Sequence, residues 1–206
     1  MAVQKVRNIA PFINDTFSIR SHWWYERIDP VDGSTVRIHR GLDIATSGSK
    51  PVYSMLNGII HSKGNDTSRG NWVIIYDNNS SSQFYGYATL YMHLASSVSL
   101  SVGESVSAGQ YVGDEGSTGH STGIHLHVEM QDINRFNGQW HSSYTKSDYI
   151  DPTSFMGIDN IDGTRWVYDG TPYIPIKMKK MKFKFVLYAK KLRQIQANTQ
   201  NIKKVN

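Results

Sequence analysis

The chain has 206 residues with 17 glycines, 12 tyrosines and no cysteine, which excludes disulfides and thiolate metal sites but allows one domain with a substantial core plus some extra. No apolar run reaches the roughly 18 residues of a membrane helix, and the start MAVQKVRNIAPFIND lacks the apolar core of a secretory signal. The formal charge of +5 conceals a split: Lys177 to Asn206 carries nine Lys and one Arg with no acid, against 12 basic and 17 acidic side chains before it.

In chain order, residues 1–18 read as an N-terminal segment. From Pro51, PVYSMLNGIIHSKG predicts two strands joined at Asn57-Gly58, a hairpin signal. NWVIIYDNNSSS is a strand closed by a polar turn, YGYATLYMHL is the next strand, and VSLSVGESVSAGQYVGDEG gives short strands separated by Gly103 and Gly109. IHLHVEM follows the glycine-rich loop STGHSTG. Strands this close together, without helical periods or a repeat of 20–50 residues, predict an all-β fold: an antiparallel sheet, sandwich or open barrel. Asp151-Pro152 breaks the pattern and ends the main domain, leaving a C-terminal extension over 156–206. Within the extension, MKFKFVLY alternates like a strand, with Met181, Phe183, Phe185 and Leu187 on one face, and AKKLRQIQANTQNIKK suits a short basic helix. A basic tail suits an anionic polymer such as teichoic acid, nucleic acid or lipid headgroups. A solvated end or a docking arm is an equally good reading.

The chemistry concentrates in STGIHLHVEM, residues 121–130. In a strand His125 and His127 share one face while Leu126 and Val128 take the other. Two imidazoles on one wall suit a metal, an acid/base pair, or the wet face of a half-buried strand. His39 and Asp43 also share a face if extended, with Gly41 leaving space between them, and His93 ends the strand YMHL. A zinc hydrolase needs three nitrogen or oxygen ligands, an open position for water and a nearby proton acceptor. His39, Asp43 and one of His125 and His127 can supply the ligands; His93 and the remaining histidine can do the acid/base work.

Taken in order, HRGLDIATSGSKPVYSMLNGII, YMHL and GSTGHSTGIHLHVEM resemble the lysostaphin/LytM-type zinc endopeptidases of bacterial cell walls. The resemblance covers about residues 19–155 and begins with SIRSHWWYERIDPVDG, similar to the family's Arg-x-x-Pro-x-x-Gly lead-in. It implies an antiparallel β fold with an open groove and one Zn2+ per chain, with His39, Asp43 and His127 as ligands and His93 and His125 as catalytic histidines. Their division of labour stays open. The chain departs from the family at Ile124, where Pro is usual, at Trp24-Tyr25 in the lead-in, and at Asp77-Asn78-Asn79 after the central strand.

Other features have plainer readings. His22, His61, His120 and His141 are expected in turns or loops at the surface, with His120 nearest to substrate. Glu129 shares the face of His125 and His127, and either orients a histidine or is a surface carboxylate. Trp23, Trp24, Tyr85, Tyr87 and Tyr91 suit either a peptide groove or, more commonly in a β protein, the core. Gly119 and Gly123 suggest a tight loop lying close to substrate.

The expectation is therefore a zinc metalloendopeptidase that hydrolyses cross-links or stem peptides of peptidoglycan through a metal-activated water. The rivals are a catalytically inactive wall-binding or regulatory module, and a phage-tail or secretion-machine component that carries the activity. Expected partners are peptidoglycan peptides, an anionic wall polymer through the tail, and virion or secretion-machine proteins; nucleic acid is not expected as substrate. Action is expected outside the cell at the wall, with delivery by a virion, by lysis, or as part of a longer exported protein. Which bond is cut depends on pocket shape.

Overall fold

The computed structural model describes residues 3–142 and 145–170. The expected strand and helix of the basic extension lie outside the described residues. The strands are β1 (Val3–Lys5), β2 (Thr16–Ser21), β3 (Tyr25–Ile28), β4 (Val36–His39), β5 (Leu42–Ala45), β6 (Pro51–Tyr53), β7 (Gly58–Asp66), β8 (Gly70–Tyr76), β9 (Ala88–Leu94), β10 (Ser105–Val106), β11 (Tyr111–Asp114), β12 (Leu126–Gln131) and β13 (Arg165–Val167). Two short helices, α1 (Ile133–Phe136) and α2 (Pro152–Met156), follow β12.

Nine strands form one sheet in the order β1-β13-β2-β5-β12-β9-β8-β7-β10. Every pairing in it is antiparallel except β1 with β13. The expected all-β architecture is present, with β6-β11 and β3-β4 as separate two-stranded ribbons. Strand alternation sorts the two faces of the sheet. Leu42, Ile44, Leu126, Val128 and Met130 enter the main core, while Asp43 and His127 point to the other side. The β3-β4 ribbon reverses the usual sorting: the cross-strand partners Ile28 and Val36 are 60% and 59% exposed, and Tyr25 and His39 turn inward.

The expected hairpin at Asn57-Gly58 does not form. β6 pairs with β11, and β7 pairs with β8 and β10. Gly58 lacks the positive φ that a two-residue hairpin turn requires. Its missing Cβ instead lets the Tyr76 carbonyl approach, and Asn57 accepts a hydrogen bond from Ala108 N at 2.9 Å. Ser54, Met55 and Leu56, expected within the hairpin's first strand, lie beyond the end of β6 and are buried. His61, expected in a loop, lies within β7 and packs edge-on against Phe136.

The sheet also extends past both ends of 19–155. Asp151 caps α2 by accepting from Thr153 N at 2.8 Å, with Pro152 as the first helical residue. The chain then returns as β13 between β1 and β2. Trp166 on β13 is 1% exposed and belongs to the main core. Trp166→Ala should therefore cost about 3–5 kcal/mol, read as a lowered urea midpoint; an unchanged midpoint would place β13 outside the cooperative unit.

Candidate metal centre

The register of four strands sets one row of side chains across the sheet. Asp43 on β5 stands opposite His127 on β12 and Ser21 on β2, and His127 stands opposite Met92 on β9. Cross-strand partners share a face with Cβ atoms about 5 Å apart, so Asp43 Oδ1 and His127 Nδ1 meet at 2.7 Å. His39, at the end of β4, reaches the same point, with Nε2 3.1 Å from Asp43 Oδ2 and 3.3 Å from His127 Nδ1. One donor atom from each of His39, Asp43 and His127 lies within 4.8 Å of the other two, and all three residues are buried. Gly41 makes this possible: a Cβ there would run into the His127 ring and lie 2.8 Å from Val128 O.

The outer nitrogens of the two histidines are already engaged. His39 Nδ1–H donates to His22 O at 3.0 Å, and His127 Nε2–H donates to Glu129 Oε1 at 3.1 Å. A carbonyl and a carboxylate can only accept, so His39 Nε2 and His127 Nδ1 are left for a metal. Glu129 is 2% exposed and so is the orienting partner rather than a surface carboxylate; its Oε2 has no hydrogen-bond partner. Two imidazole nitrogens and one carboxylate, with no thiolate, form a donor set that suits zinc.

Burial alone would raise the Asp43 carboxyl, but the His39 charge and hydrogen bonds from His127 and His39 hold it well below the usual range. Burial pulls His39 below its ordinary value, against Asp43. For His127 burial also acts downward, yet the bonds to Asp43 and Glu129 prevail and raise it to about 9.

His93 and His125 flank this triad, with ring centroids 4.8 Å apart. His93 Nδ1–H donates to Thr118 O at 2.8 Å, and His125 Nδ1–H donates to Gly123 O at 2.8 Å. Both rings therefore keep Nε2 as the free nitrogen, and that of His125 lies 3.6 Å from Asp43 Oδ1. Burial, followed by the His127 and His125 charges, lowers His93 to about 4. The way β9 delivers His93 departs from simple alternation. β8 pairs Asn71 with Leu94 and Val73 with Tyr91, so Met92 and His93 together face Trp72. His93 is the extra residue of this bulge, at φ +63°. Tyr91 and Leu94 stay in the core, whereas Met92 and His93 both reach the groove.

The groove holds about 1020 Å³, room for a peptide segment rather than a single small molecule. The loop over 116–124 forms one wall. Thr118 Oγ1 bonds Leu94 O at 2.8 Å, and Gly119 (φ +74°) backs against Gly70, whereas a Cβ on Gly123 would meet open space. His120 on this loop bridges to the buried Asp29 of the β3-β4 turn at 2.7 Å, tying two walls together. None of Trp23, Trp24, Tyr85, Tyr87 and Tyr91 lines the groove; Tyr91 is fully buried, and its hydroxyl accepts from Met55 N at 2.8 Å. One residue was given no role from sequence: Arg27 on β3, whose Nη1 is 2.6 Å from Ser21 Oγ and 3.3 Å from Asp43 Oδ2. It is the arginine of the Arg-x-x-Pro-x-x-Gly lead-in, so a signal was present.

Comparison with known proteins places these features in a family. The description of peptidase family M23 matches residues 37–144. The peptidoglycan DD-endopeptidase ShyA of Vibrio cholerae is 35% identical over 57% of this chain and 26% of its own. The DD-carboxypeptidase/endopeptidase Mpg of Neisseria meningitidis is 42% identical over 64% of this chain and 27% of its own. The chain thus spans about a quarter of the length of these curated relatives. Among solved structures, the catalytic domain of lysostaphin from Staphylococcus simulans superposes with a TM-score of 0.50 at 28% identity, covering 70% of this chain and 93% of that one.

Two outcomes test the geometry. A left-handed backbone costs a non-glycine residue about 1–2 kcal/mol, so His93→Gly should be more stable than His93→Ala by about 1 kcal/mol in chemical denaturation; the reverse order would refute the strained bulge. In the metal-free protein, His127 keeps its proton to about pH 9, and a metal must displace it from Nδ1. Zinc affinity should rise roughly tenfold per pH unit towards that pH, with about one proton released per zinc in calorimetry; a flat profile would contradict this.

Proposed function

The chain belongs to peptidase family M23, and on that premise we propose that it is a zinc metalloendopeptidase that hydrolyses peptide bonds of bacterial peptidoglycan at the cell wall. The observation that carries this reading is the convergence of His39, Asp43 and His127 on one point at the groove floor, with two more imidazoles beside them. The activities for which the relatives are named, DD-endopeptidase and DD-carboxypeptidase, favour the same substrate class.

His39, Asp43 and His127 would hold the zinc, which when bound supplies a water of lowered pKa and an electrophile for the scissile carbonyl. Glu129 fixes the His127 ring through Nε2–H, so that Nδ1 stays directed at the triad. His93 and His125 work through Nε2. One, as the neutral imidazole, accepts the proton given up as the C–O bond forms; the other, as the imidazolium, donates Nε2–H towards the carbonyl oxygen as negative charge gathers there. The accepted proton then passes to the leaving amine as the C–N bond breaks. The lowered pKa of His93 keeps that ring neutral before reaction, with Nε2 free. The groove lies open beside the triad, so a long peptide can cross it without its ends being enclosed. An inactive wall-binding module would need neither the complete donor set nor the paired histidines.

His93→Ala should retain about one zinc per chain but lose release of new amino termini from purified walls by at least about 100-fold, while Asp43→Ala should lose both. Zinc loss in the His93 variant, or full activity in the Asp43 variant, would overturn the assignment.

A further inference from the structure

We propose that Arg27 is a specificity-determining residue, which recognises a free carboxylate borne by the carbon that carries the leaving amine of the scissile bond. This rests on the peptidase reading above. The acids of the groove are shared out among its cations. Asp29 is taken by Arg37 at 2.9 Å and by His120, and Asp66 by Arg69 at 2.7 Å. Glu129 serves His127 and lies 3.8 Å from Arg40. Among the described residues, the acid beside Arg27 is Asp43, whose Oδ2 it approaches at 3.3 Å.

That acid is also a proposed zinc ligand. Once its charge serves a dication, Arg27 is a cation next to a positive centre, with Ser21 Oγ and the Tyr25 ring as its remaining partners. The Arg27 side chain is 24% exposed and lines the groove, so its guanidinium is held yet open to an anion. Ser21 Oγ also bonds the Tyr25 hydroxyl at 3.1 Å, which fixes the arm on the β3 side of the triad. His125, by contrast, approaches Asp43 Oδ1. The two oxygens of Asp43 thus divide the site into an acid/base flank and a cationic flank.

The position of Arg27 restricts the anion. A carboxylate paired with Nη1 would lie within one residue of the scissile carbon. In an α-linked acyl residue, such as D-alanine, the α-carboxyl is itself the scissile group. The free carboxylate closest to the bond therefore belongs to the amine-side residue, when the acylated nitrogen and the carboxylate share a carbon. A bond from D-alanine to such a centre of a diamino acid has this feature. A bond to a lysine side-chain amine, or one within a glycine bridge, does not. A fork-shaped guanidinium suits that carboxylate.

The test uses two synthetic peptides, D-alanine joined to a diamino acid with the adjacent carboxylate free or as its amide. The zinc-loaded full chain should prefer the free acid by roughly 10- to 100-fold in kcat/KM. Arg27→Gln should bring the ratio to within about threefold, and Arg27→Lys should restore part of it. In calorimetry, zinc-loaded His93→Ala should bind the acid more tightly than the amide, and adding Arg27→Gln should abolish the difference. Equal use and equal binding of the two peptides, or a preference that survives Arg27→Gln, overturns the proposal. Preferential binding that depends on Arg27, with neither peptide cleaved, would uphold the proposal and instead count against the peptidase reading.

Discussion

The carboxylate of Asp43, set opposite His127 by the β5-β12 register, is the point about which the groove is organised. Its Oδ1 faces His127 and His125, and its Oδ2 faces His39 and Arg27. Four cationic or potentially cationic groups around one buried anion would be unfavourable if the anion were removed, because breaking a buried charge cluster leaves uncompensated charge. The strands flanking Asp43 and His127 carry continuous core residues on the opposite face, so the apolar packing that holds the sheet also fixes the spacing of the donors.

Two local features are costly for folding and fall at the proposed site. His93 occupies a left-handed backbone where glycine would be unstrained, and Glu129 Oε2 is buried without a partner. Both lie beside the triad, where the surrounding sheet can absorb their cost. A core optimised only for stability would have neither.

Much of the architecture was legible because strand alternation is a local rule. Leu126 and Val128 turned away from His125 and His127 as the two-residue period requires, and the β-rich class followed from closely spaced strands. The failures share a cause, since they depend on contacts distant in sequence. Asn57-Gly58 has the composition of a hairpin, but Ala108 N and the Tyr76 carbonyl decide its conformation. Alternation from Tyr91 would send His93 into the core, and the bulge against β8 turns it outward. β13 was missed because three residues, RWV, offer too little period to read, although Trp166 anchors them. Glu129 was legible only as an alternative, since its burial depends on the neighbouring strands.

The β3-β4 ribbon pairs with no strand of the nine-stranded sheet, yet its final residue is His39. Residues gained or lost at its tip, between Ile28 and Val36, would shift no register among the strands that carry Asp43, His127 and His93. The molecule thus separates two kinds of inheritance. The residues proposed to carry out hydrolysis sit on paired strands, where an inserted residue would shift a register. One wall of the groove hangs from a peripheral ribbon whose tip is free to drift, so descendants of such a chain could change diet without having to reinvent the proposed chemistry.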